Sequence, residues 1–205
     1  MSRISSLLLF LLLALGAAPA MAALLGDASV PYSAERTVTV NGKSYSGTVF
    51  HTPGHDRHEQ KIGGIAEVII LDAAAKQGFL VLPELSSYVP FAFPKLMAEL
   101  DDPALRRSPV GHEKVAGVET TKYKIDYAAT DGSHAEGHVW VSAQGVLMRI
   151  DGTVSRKNSS KAVAIHVELA QLALGPQDPA LFAVPPGLMR LPTQALEGLL
   201  GGKRG

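Results

Sequence analysis

Short segments of alternating polar and apolar residues, separated by turn sequences, make up most of this chain. Turn dipeptides such as Asp131-Gly132 and Asp151-Gly152 flank segments that are rich in Val, Ile, Thr and Tyr. In Thr121–Tyr127 and in Lys161–Leu169 every second residue is a large apolar one, which is the period of a strand with one buried face. Closely spaced turns around such segments predict an antiparallel, mainly β architecture.

The first predicted hairpin joins Glu35–Val40 to Lys43–Phe50 through Asn41-Gly42. Asn-Gly favours a type I′ turn, because both central residues of that turn take positive φ. We therefore expect these two segments to be neighbouring antiparallel strands.

Two segments break the alternation. Val68–Leu71 and Phe79–Leu82 are apolar at consecutive positions, as in strands that are covered on both faces. The predicted cover is the next stretch, Pro90–Asp102, with a short helix that begins at Pro94. Helical spacing of its apolar residues supports that helix, namely Leu96, Met97 and Leu100. The expected fold class is therefore mainly β (α+β), a curved antiparallel sheet wrapped over a few short helices.

The N-terminus has the pattern of a secretory signal peptide. Arg3 precedes the apolar run Leu7–Leu15, and the small residues that follow include the A-x-A site Ala20-Met21-Ala22. The apolar run is shorter than the ~20 residues of a membrane span. We predict a signal peptide over residues 1–22, one domain over 23–197, a flexible tail over 198–205 and a periplasmic location. The alternative is a retained N-terminal anchor.

Composition excludes several classes of function. The chain has 205 residues, 46% of them hydrophobic, with 19 basic and 19 acidic side chains and a net charge of +0. No basic excess is available for a nucleic-acid backbone, so no nucleic-acid partner is expected. The chain contains no cysteine, which excludes disulfides, thiol catalysis and Cys-type zinc sites. We expect a monomer.

Candidate catalytic and metal-binding residues are few. His134, Glu136 and His138 would share one face of a strand and could converge on an ion, but an exposed polar face explains them as well. His51, His55 and His58 form a second cluster, which we interpret as surface histidines. The sequence has no nucleophile elbow, zincin motif or phosphate-binding loop. We expect no enzymatic activity, no cofactor and no metal, although a metal at His134, Glu136 and His138 stays open.

Apolar and aromatic residues carry more information about a ligand. If the predicted helix and the curved sheet enclose a groove for an apolar ligand, these residues would line it. The alternative for each of them is simple core packing. The candidate lining residues are Val68, Ile70, Phe79, Val81, Tyr88, Phe91, Phe93, Met97, Tyr123, Ile125 and Trp140.

The run Gly47–Tyr88 resembles the LolA/LolB-like superfamily of periplasmic lipoprotein carriers. It has a Gly in an early strand, a Pro that ends the next one, a charged strand, and two apolar strands. The corresponding residues are Gly47, Pro53, Asp56–Lys61, Ile69–Asp72 and Phe79–Pro83. Farther along, Gly111–Val118 and Tyr123–Asp126 look like lipoprotein-sorting-like relatives of unknown function, and Leu181–Gly187 resembles the family's terminal F-x-x-P-x-G.

The resemblance implies a curved antiparallel sheet over helices, with an apolar cavity that shelters acyl chains. The leading hypothesis is thus a non-enzymatic periplasmic carrier for a lipid or a lipoprotein acyl chain. A second hypothesis is an envelope interaction or sensor module that contacts a membrane-anchored partner through its sheet. A metal-dependent or hydrolytic enzyme ranks last. The carriers also have a basic residue just before the Pro that ends a strand, whereas Thr52 precedes Pro53 here.

Overall fold

The computed structural model describes residues 28–62, 64–92, 108–129, 132–156 and 162–193. The predicted signal peptide, the helix predicted from Pro94 and the predicted C-terminal tail lie outside these residues. None of the helices in the described ranges is long and apolar enough to cross a membrane.

Twelve strands and two short 3-10 helices account for most of the described chain. The 3-10 helices are Pro83–Leu85 and Pro179–Phe182. The strands are β1 (Tyr32–Val40), β2 (Lys43–Thr52), β3 (His55–Ile62), β4 (Ile65–Asp72), β5 (Gln77–Leu82), β6 (Ser87–Ala92), β7 (Ser108–Val115), β8 (Val118–Ala128), β9 (His134–Ser142), β10 (Leu147–Ser155), β11 (Val163–Leu174) and β12 (Met189–Arg190).

The strands form one curved, open sheet in the order β12-β6-β5-β4-β3-β2-β1-β11-β10-β9-β8-β7. All neighbouring pairs are antiparallel except β12 and β6, which are parallel. The expected fold class is confirmed. The first strand lies in the middle of the sheet because β2 pairs with one edge of β1 and β11 with the other. Strands β2–β6 and β12 thus form one half of the sheet, and strands β7–β11 form the other.

The predicted first hairpin is confirmed. Asn41 and Gly42 connect β1 to β2 with φ of 48° and 80°, as a type I′ turn requires. The side chain of Asn41 also accepts a hydrogen bond from the amide of Ala164, 3.0 Å away. The turn is thereby fixed to the start of β11.

Directly paired residues lie on the same face of a sheet, so the register assigns every strand residue to one of two faces. We call the face that carries Arg36 the Arg36 face, and the other one the opposite face. Apolar residues form three clusters on the Arg36 face, of which one includes Tyr32, Ala34, Val49 and Leu169 beside Arg36. The other two are called the first and the second cluster. The first, in β1 and β8–β11, includes Val38, Val40, Ile125, Val139, Ile150, Ile165 and Val167. The second, in β3–β6, includes Ile62, Ile69, Leu71, Leu80, Leu82 and Val89.

The opposite face of β4 and β5 is also apolar, and the C-terminal segment covers it. Val68, Ile70 and Val81 form a buried cluster there, against which Val184 and Leu188 pack. The guanidinium of Arg57 donates to the carbonyl of Leu181 at 2.9 Å, which fixes the same segment to β3. Residues on both faces of the two apolar strands are buried, and on the opposite face the cover comes from residues about a hundred positions downstream. The cover predicted from Pro94 onward lies outside the described residues and stays a prediction.

Candidate functional site

A row of polar residues crosses the Arg36 face among its apolar clusters. Arg36 in β1 pairs with Gly47 in β2, Gly47 pairs with Gln60 in β3, and Gln60 pairs with Glu67 in β4. These four residues lie side by side across four strands on the same face. His58 lies on the same face of β3, two residues before Gln60.

Gly47 allows the side chain of Arg36 in β1 to reach the polar residues of β3. A Cβ at this position would lie 1.9 Å from the carbonyl oxygen of Glu59, so only glycine permits the close approach of β2 to β3. Two strand spacings separate β1 from β3, which is about 10 Å. Because Gly47 has no side chain, that of Arg36 can pass over β2 and contact β3.

The contacts that Arg36 makes on β3 are short and buried. Its Nη1 lies 2.5 Å from Nδ1 of His58, and its Nη2 donates to Oε1 of Gln60 at 3.0 Å. The amide of Gln60 in turn donates to Oε2 of Glu67 at 3.3 Å. Arg36 is 2% exposed, His58 3% and Glu67 5%. The row is thus a hydrogen-bonded chain in the interior of the protein.

Burial sets the protonation of this chain. It lowers the pKa of Arg36 to about 10, so the guanidinium stays charged at neutral pH. Burial, together with the charge of Arg36, holds the pKa of His58 well below its usual value. His58 is therefore neutral, and its Nδ1 accepts the proton of Arg36 while Nε2 carries the ring hydrogen. Burial also raises the pKa of Glu67.

Three buried side-chain polar atoms have no hydrogen-bond partner within the described ranges, namely Nε of Arg36, Nε2 of His58 and Oγ of Ser87. All three residues lie on the Arg36 face, since Ser87 pairs with Leu82 and is in phase with Val89. An orphaned buried donor is costly and rare in folded proteins. Their convergence on one face marks this row as the candidate functional site.

A second polar group lies on the same face beside this row. His51 is 1% exposed, and its Nδ1 lies 2.9 Å from Oδ1 of Asp56. Its Nε2 lies 3.0 Å from the carbonyl oxygen of Ala28, and its ring stacks on Tyr32 at 4.9 Å. Because both ring nitrogens are engaged, His51 fixes the start of the described chain to the sheet.

An apolar hollow lies in the other half of the Arg36 face. Gly137 in β9 pairs with Gly152 in β10, and a Cβ on either would lie within 2.5 Å of the other strand's backbone. The paired glycines leave a shallow, open gap among larger side chains, with a cavity volume of about 20 Å³. Apolar side chains form its walls, namely Ile125, Ala135, Ile150, Val154 and Ile165.

The residues that the sequence proposed as groove lining are distributed over both faces. Val68, Ile70 and Val81, with Phe79 and Tyr88 against them, belong to the cluster under the C-terminal segment. Phe91 packs on the second cluster of the Arg36 face, and Tyr123 and Ile125 belong to the first. Trp140 is on the opposite face, between Lys122 and Arg149. Phe93 and Met97 lie outside the described residues. Contact of any of these residues with a ligand stays a prediction.

The histidines differ from one another in their surroundings. The interpretation of His51 and His58 as surface residues is wrong, since both point into the Arg36 face and are buried. His134, Glu136 and His138 lie on the opposite face of β9, where His134 pairs with Asp126 at 2.8 Å and Glu136 accepts from Thr153. Within the described ranges, no three His, Asp or Glu side chains are arranged to hold a metal ion.

The period of the strands contained information about the polar row that the sequence analysis did not use. Within the first predicted strand, Arg36 is in phase with Val38 and Val40, which is the buried phase. In β3, Asp56, His58 and Gln60 are in phase with one another. A single charged residue at a buried position of a strand indicates either a bulge or a function, and this signal would have identified Arg36.

The fold and the row define a class of protein, an open antiparallel sheet with a buried polar row on one of its faces. No protein-family model and no curated protein matches the sequence. Solved structures do match the fold. An uncharacterized conserved protein from Thermus thermophilus has a TM-score of 0.55 at 14% identity, with 86% of this chain and 98% of that chain covered.

The fold is also similar to that of MucB, whose solved structures include complexes with MucA. MucB in complex with MucA(peri) has a TM-score of 0.50 at 12% identity, with 84% of this chain and 61% of that chain covered. The MucA/MucB complex of Pseudomonas aeruginosa has a TM-score of 0.51 at 10% identity, with 83% and 60% covered. This chain thus spans less than two thirds of the MucB chains. These similarities establish the fold that the chain shares with these proteins.

Proposed function

We propose that this protein is a non-enzymatic binding or carrier protein of the bacterial periplasm, and that its ligand is a lipid or lipoprotein acyl chain. The observation that carries the proposal is the apolar hollow over Gly137 and Gly152, which adjoins the first cluster of the Arg36 face. The signal-peptide pattern of residues 1–22 and the resemblance to lipoprotein carriers support the location.

The chemistry of the hollow favours an apolar ligand. Its side-chain walls are aliphatic, and the glycines at its floor contribute no polar side chain. Each methylene that leaves water for such a site contributes about 0.8 kcal/mol. A ligand with a long acyl chain would therefore gain affinity with each added carbon until the available apolar surface is filled.

The test is a calorimetric titration of the processed chain with fatty acids of increasing length. We expect tighter binding with each added methylene, and Ala135→Phe should remove that dependence because the new ring fills the hollow. Ala164→Phe is the matched control, since Ala164 is exposed on the neighbouring strand β11. Thermal melts of both variants would show that they fold. Affinities that do not change with chain length would contradict the proposal.

The second candidate is an envelope module that binds a protein partner, and the edge strand β7 favours it. Seven of the eight residues of β7 are exposed, and β7 ends the sheet order on that side. An exposed edge strand can accept a strand from another chain. The MucB structures, which share the fold, include complexes with MucA. Crosslinking in periplasmic extracts that captures a protein at Val110 or Glu113, together with no lipid in the natively purified protein, would favour this candidate.

A further inference from the structure

The guanidinium of Arg36 is a buried positive charge whose direct partners are neutral. In the described parts of the chain it contacts the neutral ring of His58 and the amide oxygen of Gln60. Isolated buried charges are strongly unfavourable, so proteins pair them with a counter-charge. The chain of hydrogen bonds reaches a carboxylate at Glu67, through Gln60. Asp56 and Tyr32 also favour the charged form of Arg36 electrostatically, but the hydrogen-bond partners of the guanidinium in the described ranges are His58 and Gln60.

Two donors of this group are left without an acceptor. Nε of Arg36 and Nε2 of His58 are both buried and have no partner within the described ranges. Because Nδ1 of His58 accepts from Arg36, its Nε2 carries a hydrogen. Two N–H donors on adjacent side chains, one of them charged, are suited to an anionic oxygen group.

We propose that Arg36 and His58 bind the anionic headgroup of a single-chain amphiphile, a carboxylate or a phosphate, whose tail lies on the apolar clusters of the Arg36 face. This inference rests on the proposed function, and it narrows the ligand to a free anionic amphiphile rather than an esterified chain without a charge. The headgroup would supply a counter-charge hydrogen-bonded directly to Arg36, and it would accept from Nε of Arg36 and Nε2 of His58.

The position of the pair between two apolar clusters suits such a ligand. Val38, two residues from Arg36, belongs to the first cluster, and Ile69, the cross-strand partner of His58, belongs to the second. Gly152 in β10 pairs with Ile165 in β11, which pairs with Val40 in β1. Val40 is four residues from Arg36, so Gly152 is two strands away from Arg36 and four residues farther along the strand direction. That separation is about 16 Å, within reach of a long acyl chain from a headgroup at Arg36.

The pKa values are consistent with an anion at this place. Burial leaves Arg36 charged at neutral pH because its pKa is lowered only to about 10. His58 is neutral there, so it can donate from Nε2 without adding a second buried charge. The raised pKa of Glu67 reduces the negative charge of that side chain, and the carboxylate of Asp56 on the same face is hydrogen-bonded to His51.

The experiment compares three probes with the same hexadecyl chain length at neutral pH, namely palmitic acid, hexadecyl phosphate and hexadecanol. Calorimetry of the processed chain should show about tenfold to a hundredfold tighter binding of at least one anionic probe than of hexadecanol, since a hydrogen bond to a charged group contributes about 1.5–3 kcal/mol. The relative affinity of the carboxylate and the phosphate distinguishes the two headgroups.

Arg36→Gln should bind the anionic probes and hexadecanol equally, and His58→Gln should reduce the difference between them. Arg149→Gln is the matched control, since Arg149 lies on the opposite face, paired with Glu168, and should leave the difference intact. If Arg36→Gln does not fold, the probe series on the unmodified chain and on His58→Gln still tests whether the pair binds the headgroup.

The outcomes separate this inference from the proposed function. Equal affinity of the unmodified chain for all three probes would overturn the headgroup site, while the apolar site would stand. Binding of none of the probes would overturn the proposed function and this inference with it. A loss of anion preference in Arg149→Gln as large as that in Arg36→Gln would assign the preference to overall charge, and so would also overturn the inference.

Discussion

The opposite face of the sheet is apolar in one half of the sheet and mostly polar in the other. In β4 and β5 that face is apolar, and Val184 and Leu188 of the C-terminal segment pack on it. In β8–β11 the same face is polar and carries ion pairs, for example His134 with Asp126 and Arg149 with Glu168. Strands β4 and β5 therefore form a layer with two buried faces, whereas the opposite face of β8–β11 is largely polar, with Trp140 buried between Lys122 and Arg149.

This difference determines which strands need another segment of the chain to pack on them. Strands with two apolar faces require another segment to pack on them, and the last described residues of the chain supply one face of that packing. Strands with strict alternation need no such segment, because water solvates their polar face.

The largest expected effect would come from removing an apolar side chain on the covered half. Ile70 is 1% exposed, and Ile70→Ala should lower the free energy of unfolding by about 2–5 kcal/mol, because it leaves a cavity under the C-terminal segment. Ile65→Ala on the same strand is the matched control, since Ile65 is 50% exposed. Urea denaturation of both variants measures the difference. Equal effects would show that the C-terminal segment does not pack on β4.

A second contrast concerns histidines, since His51 and His58 are buried in the first half, whereas the described histidines of the second half are partly or fully exposed. Because the pKa of folded His58 lies well below its usual 6.5, the unfolded chain binds more protons below pH 6.5. Stability that depends on a neutral His58 is therefore present above pH 6.5 and is lost as the pH falls toward the folded pKa. The raised pKa of Glu67 acts in the other direction, since it favours the folded state as the pH falls.

His58→Gln isolates the contribution of His58 from that of Glu67. The stability of the unmodified chain relative to this variant should decrease by up to about 1.4 kcal/mol for each pH unit below the usual pKa. Denaturation curves at several pH values measure that difference, and His134→Gln is the control. A pH-independent difference between the unmodified chain and His58→Gln would mean that folding does not lower the pKa of His58.

The smallest effect is expected on the solvated face of the second half. Replacing both His134 and His138 with Asn should change the free energy of unfolding by no more than about 0.5 kcal/mol, because both side chains lie on a polar face. Thermal melts with and without added zinc measure this. A large decrease in melting temperature, or zinc-dependent stability that the double variant loses, would instead support a metal site on this face.

Much of the sheet could be predicted because its signals are local. Asn41-Gly42 determined the first hairpin, and the alternation in Thr121–Tyr127 and Lys161–Leu169 placed β8 and β11 with the correct residues facing the core. The doubly apolar segments predicted that something covers both faces. The cover of the opposite face could not be predicted, because the packing of Val184 and Leu188 on β4 and β5 depends on contacts between residues far apart in the sequence.

The candidate site shows the same division between local and distant information. Periodicity places Arg36 at a buried position of its strand, and the glycine at 47 is visible in the sequence. Only the register of four strands brings Arg36, Gly47, Gln60 and Glu67 into one row. A shift of one residue in any strand would turn its side chains to the other face, so the sequence alone could not assemble the row.

The sequence by itself thus determined the strand periods, the first turn and the absence of cysteine chemistry, since each depends on neighbouring residues or on composition. The tertiary structure decided which residues meet. It placed His51 and His58 in the interior and distributed the proposed lining residues over two faces. Within the described ranges it also left Nε of Arg36 and Nε2 of His58 buried without an acceptor. The physical reason is that burial and pairing depend on register between strands, which no single segment encodes.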